Sequence, residues 1–246
     1  MAYVGKEAYV CARLSQIIYE LPYQIRPRIE VLMETAEVYF RTFPHRNSRV
    51  LVVVDEHVVY VIFRGTVFTS WRSWLANLTT NRKNWMNGKV HSGFLGVLGD
   101  ARSFFQSILA RPDNLEKEIY FAGHSQGGAV AFLAAMGNKH FNPTALTAKS
   151  YTFGQPRTGN KQFCRIAEIR LGRNHSRVVN RGDIVVGVPF VRQGFDHVRD
   201  FLQYDDRGVV IRRQQKEGAG WFHVNIPDHF MKNYSASADK NEAVNV

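Results

Sequence analysis

Cysteine is scarce: Cys11 and Cys164 are the only two in 246 residues, too few for a disulfide framework. Both fall in segments with helical apolar spacing, so both are expected as buried free thiols. No window approaches the ~18 apolar residues of a membrane-spanning helix. The opening stretch, MAYVGKEAYVCARLSQ, lacks the unbroken apolar run of an export signal because Lys6, Glu7 and Arg13 interrupt it. A soluble chain is therefore expected, cytoplasmic or exported by a route that needs no such signal. Metal-ligand spacings of the H-x-x-x-H or C-x-x-C kind are missing, as are paired carboxylates on a plausible element, so neither metal nor cofactor is expected. Acidic residues are outnumbered, 21 Asp plus Glu against 32 Lys plus Arg, and the net charge of +11 favours anionic partners. No basic stretch carries the aromatic interleaving of a nucleic-acid module, so no nucleic-acid partner is expected. With no repeat, linker or low-complexity tract, residues 1–234 read as a single domain, and the polar, aperiodic residues 235–246 as a loose tail.

The apolar pattern supplies the elements. Val10, Leu14, Ile17, Ile18 and Leu21 mark one helix, and Ile25, Ile29, Leu32, Met33, Ala36, Tyr39, Phe40 and Phe43 continue at helical spacing after Pro22, which predicts a second. Two β-branched runs, 49–54 and 58–63, flank Asp55-Glu-His57 as a hairpin buried on both faces. Phe94, Val97, Leu98, Ala101, Phe105, Ile108 and Leu109 predict a helix that Pro112 ends. Strand and helix then alternate: strand 118–123, helix 126–137, strand 149–154, helix 160–171, strand 177–180. Such alternation predicts the α/β class, a mostly parallel central sheet covered by helices.

Between strand 118–123 and helix 126–137 stands Gly123-His-Ser-Gln-Gly-Gly128, a G-x-S-x-G in the strand–turn–helix context its chemistry demands. The tight turn would lift Ser125 to the carboxyl edge of the sheet, where the first amides of the helix face a developing oxyanion. Ser92 also follows a histidine, but no strand is expected before it and no glycine stands ahead of His91. A serine nucleophile needs a base and an acid that orients it, which in such folds follow in the order Ser, acid, His. Asp183 comes just beyond strand 177–180, before the apolar Ile184–Pro189; Asp196, Asp200, Asp205 and Asp206 read as solvated surface acids. Of the later histidines, His229 opens a short final helix after Pro227, whereas His197 and His223 read as ordinary core or surface residues. His91 and His124 are expected to pack beside the sheet edge.

These residues stand in an order that resembles the fungal-type class 3 lipases of the α/β-hydrolase superfamily, from about Val50 to Tyr234. Phe63-Arg-Gly-Thr66 is similar to the family's F-R-G-T/S segment, Trp74-Leu-Ala-Asn-Leu78 to its W-I-x-D-L, and Val90-His-Ser-Gly-Phe94 to its V-H-x-G-F. Gly123–Gly128 resembles G-H-S-L-G-G, Tyr151–Asn160 resembles T-F-G-Q-P-R-x-G-N, Asp183 with Pro189 resembles the acid segment, and Ile226–His229 with Tyr234 the closing histidine. The resemblance implies a triad of Ser125, Asp183 and His229, with Thr66 and Gln126 lining the oxyanion hole. Two positions depart from the pattern: Gln126 replaces the usual Leu, and Asn77 stands where Asp is common.

From His57 through Gly99 there is no acidic residue, while Arg64, Arg72, Arg82, Lys83 and Lys89 are basic and Trp71, Trp74 and Trp85 cluster. Phe68, Trp71, Leu75 and Leu78 recur at three, four and three, the stripe of a short amphipathic helix, which fits either the core or an interface. In the family this is the lid, so a lid is expected at about 67–87, with Phe68, Trp71, Trp74 and Leu75 facing the interface. The resemblance thus implies an ester hydrolase for lipid esters, a triacylglycerol lipase or esterase, and the positive charge suits a transient contact with an anionic lipid interface. A phospholipase, another carboxylesterase or a non-catalytic lipid binder are the alternatives.

Overall fold

The computed structural model describes residues 6–34, 36–66, 80–141, 148–180, 182–204, 210–214, 231–232 and 234. Among them, ten strands and five α-helices run in the order α1 (Lys6–Ile17), α2 (Pro22–Leu32), β1 (Glu37–Phe43), β2 (Ser48–Val54), β3 (Val58–Phe63), β4 (Arg82–Trp85), β5 (Gly88–His91), α3 (Ser92–Leu109), β6 (Glu118–His124), α4 (Gln126–Phe141), β7 (Lys149–Phe153), α5 (Lys161–Leu171), β8 (His175–Val179), β9 (Asp200–Tyr204) and β10 (Val210–Gln214). Eight strands form one sheet, ordered β1-β2-β3-β6-β7-β8-β9-β10. The stretch from β3 to β9 is parallel; β1, β2 and β10 join antiparallel.

The two faces of the sheet carry separate cores. Val50, Val52 and Val54 of β2 point with Val61, Phe63 and Phe121 toward α3, α4 and α5. Leu51 and Val53 point the other way, with Ile62 and Ala122, toward α1 and α2. Successive side chains alternate across a strand, so an unbroken apolar run such as β2, buried at every position, is what a strand covered on both sides requires. Cys11 and Cys164 are buried free thiols on α1 and α5, as expected. Burial pushes both thiols up, which keeps them protonated.

Three elements depart from the sequence reading. The second helix stops at Leu32, because Met33 turns extended, and Glu37–Phe43 is the edge strand β1 rather than more helix. Residues 82–91, partly assigned to the lid, form the two-stranded hairpin β4–β5, turned at Met86 and Asn87, both with positive φ. Trp85 packs there on Phe163 of α5, with ring centroids 6.0 Å apart, so the core reading holds for this tryptophan. Strands β9 and β10 extend the sheet beyond the last strand the pattern revealed.

Candidate active site

The site grows from the junction of β6 and α4. Ser125, buried, takes φ +57°, a left-handed backbone that a residue with a Cβ seldom adopts. Its N–H still bonds the Phe153 carbonyl of β7 at 2.9 Å, and its carbonyl already accepts the Ala129 N–H of α4 at 3.2 Å. The backbone therefore passes from sheet to helix within a single residue. Such a turn brings α4 onto β3, and only glycine permits the approach at position 127, where a Cβ would lie 2.7 Å from the Phe63 carbonyl carbon. Gln126, as the first residue of α4, presents an N–H with no partner inside the helix.

Loop 64–66, leaving β3 at the same sheet edge, lies directly on this elbow. A Cβ at Gly65 would come 2.6 Å from the His124 carbonyl oxygen and 3.1 Å from Ser125 Cβ. The Thr66 hydroxyl donates to Gln126 Oε1 at 2.8 Å. Behind the elbow, the Tyr19 hydroxyl meets His124 Nδ1 at 3.0 Å. Burial pushes the Tyr19 phenol well up, so it stays protonated, and its oxygen accepts from the Gly65 amide.

Asp183 follows β8 on the same edge, fully buried. One carboxylate oxygen accepts the Val185 N–H at 2.8 Å, and the other accepts the Tyr234 hydroxyl at 2.6 Å. The Tyr234 oxygen in turn accepts the Asn180 N–H at 3.0 Å, and its ring packs on His124 at 5.8 Å between centroids. These bonds hold the carboxylate through its own loop and a residue 51 positions away. Among the expected site residues, Ser125, Thr66, Gln126 and Asp183 thus leave the sheet on one edge. His229, His223, Phe68, Trp71, Trp74 and Leu75 lie outside the described residues.

Other expectations need adjustment. Asp196 is buried, not solvated: Oδ1 accepts the His197 N–H at 2.9 Å, and its charge opposes the burial that lowers the Arg157 guanidinium. Ser92 does follow a strand, β5, but that strand belongs to the small hairpin, and Ser92 starts α3 without a left-handed turn. His91 packs as expected, its Nδ1 accepting the Gly93 and Phe94 amides at the start of α3. His197 is a core residue: Nε2 donates to the Val186 carbonyl at 2.7 Å, while burial and then Arg177 and Arg157 hold its pKa well below the usual value. Tyr19 escaped the sequence reading, since in the pattern it only trails a helical stripe. Among the described residues no group of three His, Cys, Asp or Glu side chains converges as a metal site would require.

A mostly parallel sheet whose inner strand delivers a serine on a left-handed elbow into a helix, with an acid beyond a later strand, defines the α/β-hydrolase class. A family model described as Lipase (class 3) matches residues 60–193, over half of the chain. The chain belongs to the class 3 lipase family. It is 34% identical over 208 residues to a lipase of Rhizopus niveus, covering 80% of this chain and 52% of that protein. It is 32% identical over 161 residues to a lipase of Rhizomucor miehei, covering 61% and 43%. The chain thus matches about half the length of these two relatives. Lipase II from Rhizopus niveus superposes with a TM-score of 0.76 at 22% identity, over 92% of this chain and 94% of that one, a likeness of fold.

Proposed function

We propose that this chain is a serine carboxylic-ester hydrolase acting on lipid esters, as a triacylglycerol lipase. The observation that carries the reading is Ser125 itself, a non-glycine residue at φ +57° between β6 and α4, with loop 64–66 against it. Ser125 Oγ attacks the ester carbonyl carbon while His229 takes the hydroxyl proton; the tetrahedral intermediate then expels the alcohol, which receives that proton. Water repeats the sequence on the acyl-serine and releases the acid. Asp183, locked by Val185 and Tyr234, orients the imidazole and stabilises its charged form. The Thr66 and Gln126 amides receive the carbonyl oxygen as it turns negative; losing one such donor costs ~10²–10³ in rate.

Release of p-nitrophenol from its butyrate ester tests the reaction. Ser125→Ala should lower turnover by on the order of 10⁶, and retained activity would overturn the assignment. The base is assigned by chain order, so inactive His223→Ala beside active His229→Ala would reassign it. A lid role for segment 67–79 belongs to this reading as a further proposal, supported by its aromatic residues and by the acid-free run 57–99 around it. Trp71→Ser should then impair hydrolysis of emulsified glyceride far more than of a soluble short ester; equal losses would make the segment ordinary core. A matched series of triolein and phosphatidylglycerol substrates separates lipase from phospholipase.

A further inference from the structure

One side-chain hydrogen bond in the site does something the backbone does not. Thr66 and Gln126 stand 60 positions apart, yet the hydroxyl of the first donates to the side-chain carbonyl of the second at 2.8 Å. Their strands pair in parallel with Phe63 opposite Gly123, so the two residues leave the sheet side by side. Gln126 is only 8% exposed, which turns its amide side chain inward to the loop instead of outward to water. A threonine hydroxyl is a rotor with staggered positions, and a fixed acceptor selects one. Loop 64–66, three residues between β3 and position 67, is otherwise held at this point by Gly65 packing on Tyr19 and the elbow.

We propose that Gln126 is a positioning residue for ester hydrolysis, an inference that rests on the function read above: its side-chain carbonyl clamps Thr66, so that the Thr66 amide faces the same point as Gln126's own amide. One residue then supplies the second oxyanion donor through its backbone and fixes the first through its side chain. The hydroxyl proton is committed to Gln126 Oε1, so the charge developing on the substrate is met by two amides already in place. Donors that need no rearrangement as charge forms are the ones that lower the barrier.

The test uses the full-length protein with p-nitrophenyl butyrate below its solubility limit, and 1-butaneboronic acid, whose adduct on a serine carries an oxyanion-like oxygen. Gln126→Leu, close in volume and without an acceptor, should lower kcat about tenfold with KM within about twofold, the scale of one hydrogen bond. Inhibition by the boronic acid should weaken by the same factor. Thr66→Val should match Gln126→Leu, the double variant should be no worse than either single one, and Thr66→Ser should stay near wild type. Such non-additivity marks two residues acting through one contact. Additive losses, a change in KM alone, or a Thr66→Val loss far beyond that of Gln126→Leu would overturn the clamp; the last result would make the hydroxyl a direct donor. Circular dichroism and the thermal midpoint check folding, and if Gln126→Leu fails to fold, Gln126→Met, which also lacks the acceptor, takes its place in the comparison with Thr66→Val. Ser125→Ala run alongside separates the two claims, since its inactivity leaves the hydrolase reading standing when the clamp fails, and its activity would remove both.

Discussion

At the scale of single residues, Ser125 stores a backbone cost that its side chain has to justify. A left-handed conformation costs a residue with a Cβ roughly 1–2 kcal/mol, and glycine escapes it. Ser125→Gly should therefore be about 1 kcal/mol more stable than Ser125→Ala in urea unfolding, with both inactive on p-nitrophenyl butyrate. Tyr234 makes the complementary case. Its hydroxyl gives a proton to Asp183 and takes one from the Asn180 amide, so Tyr234→Phe leaves a buried acceptor and a buried donor each short of that partner. The expected loss is about 1–3 kcal/mol, read as a lower urea midpoint, with a fall in kcat because the acid is less firmly held. If stability falls and kcat does not, the tyrosine supports the fold alone.

At the scale of elements, legibility followed burial. Helix α3 was readable throughout, because its seven buried apolar residues are the ones at helical spacing and its partners lie on one side. The elbow was readable because its glycines stand in one short motif, although the contact that requires Gly127 is with Phe63 of β3, 64 positions away. Strand β1 was not: of its seven residues only Val38 is buried, so no alternation marks it, and Tyr39, Phe40 and Phe43 fall by chance at helical spacing. Backbone pairing with all seven residues of β2 makes it a strand, and pairing leaves no mark in composition. Hairpin β4–β5 is short and half polar, and its signal was the turn, Asn87 followed by Gly88. Asp196 misled for a related reason, since the buried guanidinium of Arg157 comes to it from 39 positions away in sequence. Helix α3 also offers a direct test of its cap: His91→Ala removes the acceptor for Gly93 and Phe94 and the ring stacked on Phe94 at 4.2 Å. A loss of about 1 kcal/mol is expected in urea unfolding.

At the scale of the whole molecule, two buried histidines set how stability answers acid. Burial pushes His175 down to about 3, and His197 is pushed well down too, so both are neutral in the folded chain. Unfolded, each titrates near 6.5, so below that pH the unfolded chain binds protons the folded chain refuses. Stability should hold above about pH 6.5 and fall below it, by up to roughly 1.4 kcal/mol per pH unit for each histidine, down toward the folded-state values. His175→Phe, keeping a ring against Phe132, should flatten that slope between pH 6.5 and 5. An unchanged slope would place the titration elsewhere. The net charge of +11 makes a second global expectation: binding to anionic vesicles should weaken with salt, since screening acts over ~10 Å at 0.1 M. The meeting of Tyr19 and Tyr234 on His124 also imposes an order on synthesis. A nascent chain releases Tyr19 and then the elbow, and more than a hundred residues of translation follow before the tyrosine that anchors Asp183 emerges. Ser125 therefore emerges well ahead of the hydroxyl that bonds Asp183, and the hydrogen bond between positions 183 and 234 forms only after that long stretch has been made.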